Sequence, residues 1–134
     1  MIILDCETYA NYFLLSMLDT DSGKIKDFEL FDGQDFDAKT VTAILKKHTT
    51  LGFNSSNYDL AVIVAALRGD TNAQIKQLSD DIINAPKVWP VLKKHKINIP
   101  QGFDHIDIMP IPIGQASLKI YGGRLHAPKM QDLP

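Results

Sequence analysis

The chain has 134 residues, of which 45% are hydrophobic and 22% charged, with a net charge of −2. This balance excludes disordered and fibrous classes, and a chain of this length is expected to bury roughly two thirds of its unfolded surface in one domain spanning residues 1 to 134. A lone cysteine (Cys6), no CxxC pair, and an opening MIIL far short of a signal peptide or a ~20-residue span point to a reducing cytoplasm and to no membrane partner.

Residues 1 to 5 (MIILD) form a short apolar run that suits a buried central strand. Tyr12 to Leu18 (YFLLSML) is apolar, DTDSG follows as a turn, and Lys24 to Phe31 (KIKDFELF) alternates as an outer strand does. Together these predict an antiparallel meander. Asp37 is placed to cap a helix running to about Lys47, with Val41, Ile44 and Leu45 on one face, and TTLGF is a strand candidate after it. Asn57 precedes LAVIVAAL, an apolar helix that Gly69 can end, and Thr71 to Ile83 is a further helix with Ile75, Leu78, Ile82 and Ile83 at helical spacing. Pro86, Pro90 and Pro100 punctuate the next stretch, so a short helix or two is expected around Lys87 to His95, before FDHIDI returns to strand alternation. Beyond Pro110 only ASLKIYGG looks regular. The pattern predicts a mixed α/β sheet covered by helices, with no repeat and no linker.

Asp5 and Glu7 flank Cys6 at the end of the first strand, where a period of two turns both carboxylates to one face. Two neighbouring acids repel unless a cation lies between them, and a hard ion such as Mg²⁺ or Mn²⁺ favours oxygen ligands. Exposure at a strand end explains the pair equally simply. Asp27 and Glu29 repeat the spacing, but in a charged outer strand rather than after an apolar run. A polar cluster, Gly52-Phe53-Asn54-Ser55-Ser56-Asn57-Tyr58-Asp59, sets Asp59 in the first turn of a helix, where either capping or ligation accounts for it.

Charge is uneven along the chain. Residues 1 to 84 carry 7 Lys/Arg against 13 Asp/Glu, and residues 85 to 134 carry 7 against 3. The acidic front suits cations, and the basic back, with Lys87, Lys93, Lys94, Lys96, Lys119, Arg124 and Lys129, suits phosphates. Trp89 with Lys87, Lys93 and Lys94 has the makings of a stacking platform, although a buried aromatic under a Pro-rich segment is the favoured expectation. His105 and Asp107 share one side of a strand, more simply as structural residues than as an acid/base pair. Tyr121-Gly122-Gly123-Arg124 is taken as a turn, and Cys6, facing away from the acids, as a small core residue.

The Asp-x-Glu of ILDCET and the FNSSNYD segment, with Asn54, Tyr58 and Asp59, resemble the first two motifs of the DEDD superfamily of 3′-5′ exonucleases. The Asn-x-x-Asn-Tyr-Asp form is most similar to proofreading domains of family B type DNA polymerases, and FDHIDIM and ASLK resemble the strand and helix that follow. The resemblance implies an RNase H-like fold and a two-metal Mg²⁺ or Mn²⁺ site held by Asp5, Glu7 and Asp59, the first bridging both ions. It implies substrate contacts from Thr8, Asn54, Tyr58 and Lys119, a single-stranded DNA 3′ end as substrate with RNA as a variant, and a DNA polymerase domain or subunit as partner, as in phage or mobile-element replication.

The third motif of that family, a Tyr or His four residues before an acid, is missing. The residues four after Tyr9, Tyr12, Tyr58 and Tyr121 are Phe13, Ser16, Val62 and Leu125, and those after His48, His95, His105 and His126 are Gly52, Ile99, Met109 and Met130. The C-terminal helix that carries it is therefore expected to be lacking. Two rivals stay open: an inactive RNase H-like module that binds nucleic acid or protein, and a nuclease whose final acid is Asp104 or Asp107.

Overall fold

Alternation decides the first element. In β1 (Ile2–Tyr9) the side chains of Ile2, Leu4 and Cys6 are buried, while Ile3, Asp5 and Glu7 between them are only partly covered. The computed structural model describes residues 1–53 and 58–108. A two-residue turn returns the chain as β2 (Tyr12–Asp19), antiparallel to β1 from Tyr9↔Tyr12 to Ile2↔Asp19. Gly23, at a φ of 73° that a side chain resists, helps turn it again into β3 (Ile25–Phe31). This is the expected meander. Its middle strand departs from simple alternation, because Phe13 through Met17 are all buried.

Asp37 caps α1 (Ala38–Lys47) by accepting a hydrogen bond from the Thr40 N–H at 3.2 Å. The helix hands the chain to β4 (Thr50–Phe53), which pairs parallel with β1 through Ile2↔Thr50 and Ile3↔Leu51. Next come α2 (Asp59–Leu67), ended near Gly69 at φ 94°, and α3 (Asn72–Asn84), opened by a reciprocal capping box between Thr71 and Gln74. A short α4 (Trp89–Lys94), with Pro90 in its first turn, precedes β5 (His105–Ile108), parallel to β4. The expected strand at Phe103 thus begins two residues later.

The sheet order is β3-β2-β1-β4-β5, a mixed five-stranded sheet flanked by helices. One face, bearing Ile2, Leu4, Cys6, Phe13, Leu15, Met17 and Phe28, shares a single core with Val41 and Leu45 of α1, nearly all of α2, and Ile75, Leu78 and Ile82 of α3. Full burial of such side chains at roughly 25 cal/mol per Å² of apolar area is the main stabilising term. No helix among the described residues is long and apolar enough to cross a membrane. The ASLKIYGG segment, the Tyr121 turn, Asn54, Asn57, Lys119 and the expected lack of a C-terminal helix all lie outside the described residues.

One expectation is overturned. Trp89 is not buried beneath the Pro-rich segment but 69% exposed. The apolar positions of this segment that reach the core are Val88, Val91 and Leu92, a helical stripe from which Trp89 is displaced by one residue, about 100° round the axis.

Candidate metal centre

Strand lengths open the site. β4 pairs with β1 only at Ile2 and Ile3, so among the described residues no strand lies beside the β1 edge from Asp5 onward on that side. The start of α2 contacts this part of β1. The Cys6 thiol lies 4.0 Å from the backbone oxygen of Asp59, and the Tyr58 hydroxyl donates to Thr8 Oγ1 at 3.1 Å. The same hydroxyl is 2.6 Å from Ser79 Oγ of α3, a buried side chain, so one phenol ties β1, the head of α2 and α3 together. Tyr58 and Thr8, expected to touch substrate, spend their hydroxyls on each other.

Asp59 is 6% exposed at the first position of α2. Capping does not explain it. The cap residue is Tyr58, with no side-chain cap bond, and no described residue donates a hydrogen bond to the Asp59 carboxylate. Burial pushes its pKa well above the ordinary carboxylate range, and the negative charges of Asp5, Glu7 and Asp107 push the same way. The four acids therefore share one electrostatic neighbourhood. Asp5 is raised to about 6, by burial first, against a stabilising hydrogen bond from the Cys6 N–H. Burial and then the Glu7 charge hold the Tyr9 phenol protonated.

Among the described residues no three His, Cys, Asp or Glu side chains are already gathered closely enough to hold a metal ion. The donor chemistry nevertheless fits a hard divalent cation: oxygen ligands only, one of them a buried carboxylate with no donor among the described residues, which is costly to leave charged unless a positive group arrives. Cys6 adds no soft ligand, since burial and the charges of Asp59, Asp5 and Glu7 hold its thiol firmly protonated.

The two rival acids separate clearly. Asp104 accepts a hydrogen bond from Thr49 Oγ1 at 2.6 Å, and its backbone oxygen meets the Thr50 N–H, so it lies at the far end of β4 and β5 from Asp5. Asp107 stands opposite Gly52 in the β4–β5 pairing, and its charge reaches Asp59. His105 is hydrogen-bonded through Nδ1 to the buried Thr50 hydroxyl at 2.6 Å, and burial lowers its pKa, which is a structural role. Sequence reasoning missed the Tyr58–Ser79 link; a serine among Ile75, Leu78 and Ile82 on a buried helix face was the signal available.

Comparison with protein-family models, with curated proteins and with solved structures finds no match for this chain.

Proposed function

We propose that the chain is a Mg²⁺- or Mn²⁺-dependent 3′-5′ exonuclease domain of the RNase H-like, DEDD kind, acting on a single-stranded DNA end, with RNA as a variant. The observation that carries this is the buried Asp59 carboxylate, with no donor among the described residues, set among the charges of Asp5 and Glu7. A meander joined to parallel strands and flanked by helices is the architecture such a domain has, which supports the assignment. A DNA polymerase domain or subunit as partner follows from the same resemblance, and a cytoplasmic setting from the lone cysteine.

Asp5, Glu7 and Asp59 would hold the cations, which when bound make water acidic enough to attack at neutral pH and offset charge on the leaving oxygen. In the reaction a water oxygen bonds to phosphorus as the P–O3′ bond breaks, the proton ends on the 3′ oxygen, and a nucleoside 5′-monophosphate leaves. The Tyr58–Thr8–Ser79 hydroxyls keep Asp59 against β1, and Asn54 and Lys119 remain the residues proposed to contact the strand.

A second reading has its own observation: no Tyr or His precedes an acid by four residues, so the chain resembles an inactive module that binds nucleic acid or protein. A 3′-labelled single strand incubated with Mn²⁺ separates the two. The nuclease reading expects slow shortening from the 3′ end, stopped by chelator and reduced about 100-fold or more by Asp5→Ala, since each ~1.4 kcal/mol lost is tenfold in rate. Degradation that survives Asp5→Ala contradicts it, and strand binding without cleavage favours the inactive module.

A further inference from the structure

One aromatic side chain is exposed where burial was expected. Trp89 shows 69% of its surface, and the Lys93 ammonium lies 5.2 Å from its ring centroid, one helical turn along α4. Residues 85 to 103 contain four lysines and no acid. Lys94 is engaged by Asp81 at 3.8 Å, whereas among the described residues neither Lys87 nor Lys93 forms an ion pair. A solvent-facing indole costs apolar surface that the stripe of Val88, Val91 and Leu92 does not recover, and a cation stacked on it draws the ring toward an anionic partner.

We propose that Trp89, Lys87 and Lys93 form a platform for single-stranded nucleic acid, a base stacking on the indole and the lysines meeting its phosphates. The choice of nucleic acid over a protein partner rests on the exonuclease reading together with this charge complementarity. Stacking on an aromatic face is tolerant of sequence, and lysine–phosphate contacts make binding salt-dependent. Such a platform supplies affinity for a strand that the acids by themselves repel. No step of bond making or breaking is assigned to it.

Trp89 is the only tryptophan of the chain, so its emission reports on the platform directly. The experiment titrates the whole chain, in chelator to prevent hydrolysis, with labelled oligo(dT) and oligo(U) of about 15 nucleotides, a length within reach of one binding groove. Tryptophan emission is read together with label anisotropy. The platform predicts quenching that tracks binding and weakens with salt, about tenfold or more loss of affinity in Trp89→Ala, and substantial recovery in Trp89→Phe. Lys87→Gln with Lys93→Gln should flatten the salt dependence. A difference between the two oligonucleotides identifies the strand type. Strand binding with unchanged emission and unchanged Trp89→Ala affinity overturns the proposal, as does no binding of either strand, which assigns the patch to a protein contact. The exonuclease reading fails separately: quenching that persists in Asp5→Ala, with no Mn²⁺-dependent cleavage by the unsubstituted chain, keeps the platform and removes the nuclease.

Discussion

The chain carries two Asp-x-Glu pairs in the same sheet, and they lead opposite lives. Asp5 and Glu7 lie on β1, Asp27 and Glu29 on β3, and β2 between them aligns Asp5 with Ser16 and Asp27, and Glu7 with Leu14 and Glu29. Both pairs thus face one side of the sheet in matching rows, about 10 Å apart at two strand spacings. On β3 each acid has a hydroxyl from β2: Ser16 Oγ donates to Asp27 at 2.5 Å and Tyr12 OH to Glu29 at 2.6 Å. On β1 the acids share their electrostatic neighbourhood with a third, buried acid at the start of α2. Identical spacing is therefore structural in one strand and a candidate cation site in the other, and the neighbour decides which.

The largest expected contrast is in pH dependence. Asp5 rises from 3.8 to about 6 on folding, so between those values the folded state keeps a proton that the unfolded state has released. Stability contributed this way is full below about pH 4 and is lost as pH rises to about 6, by a few kcal/mol at most, roughly 1.4 per unit. Burial of Asp59 acts in the same direction. Asp19, Asp37 and Asp81, each held below the usual range by hydrogen bonds, act oppositely, their contribution disappearing only on acidification below about pH 4. Urea unfolding from pH 4 to 7.5 in chelator should show declining stability, flattened in Asp5→Asn. An unchanged slope in that variant would remove the strained-acid account of β1.

Next in size is the β3 pair's dependence on its donors. Ser16 is buried, so Ser16→Ala should cost about 1–3 kcal/mol by leaving Asp27 short of a hydrogen bond. Tyr12→Phe should cost about 1 kcal/mol at most, because Glu29 retains access to water. Chemical denaturation of the two variants checks the ranking.

The smallest effect has the most telling sign. Without metal at neutral pH, Asp59→Asn should stabilise the chain by about 1 kcal/mol, since it removes a carboxyl group whose charged form burial disfavours and which has no described donor. Asp27→Asn should destabilise by a similar amount, losing a charge-assisted bond. Thermal midpoints moving the same way in both variants would erase the distinction between the pairs.

Much of this was visible in the residues. Asp37 and Thr71 announced their helices, Gly69 an end, and the apolar run before Asp5 separated the inner strand from the charged outer one. What remained hidden depends on register. That Ser16 and Tyr12 face Asp27 and Glu29, rather than the first pair, follows from side-chain reach across two hairpins that spacing alone does not give. That Asp107 rather than Asp104 approaches Asp59 follows from the parallel pairing Gly52↔Asp107. Trp89 was misjudged because prolines signal a covered loop, whereas burial in α4 is set by the neighbouring valine and leucine stripe.

Metal binding decides between the two pairs most directly. Titration calorimetry with Mn²⁺ at neutral pH, paired with thermal melts, compares the unsubstituted chain with Asp5→Asn/Glu7→Gln and Asp27→Asn/Glu29→Gln. Saturation of about 100-fold over the dissociation constant should raise stability by about 2.7 kcal/mol. The account predicts that binding and stabilisation persist when the β3 acids are neutralised and vanish when the β1 acids are. Binding that survives loss of Asp5 and Glu7, or Mn²⁺ that leaves the unsubstituted chain unchanged, would contradict it.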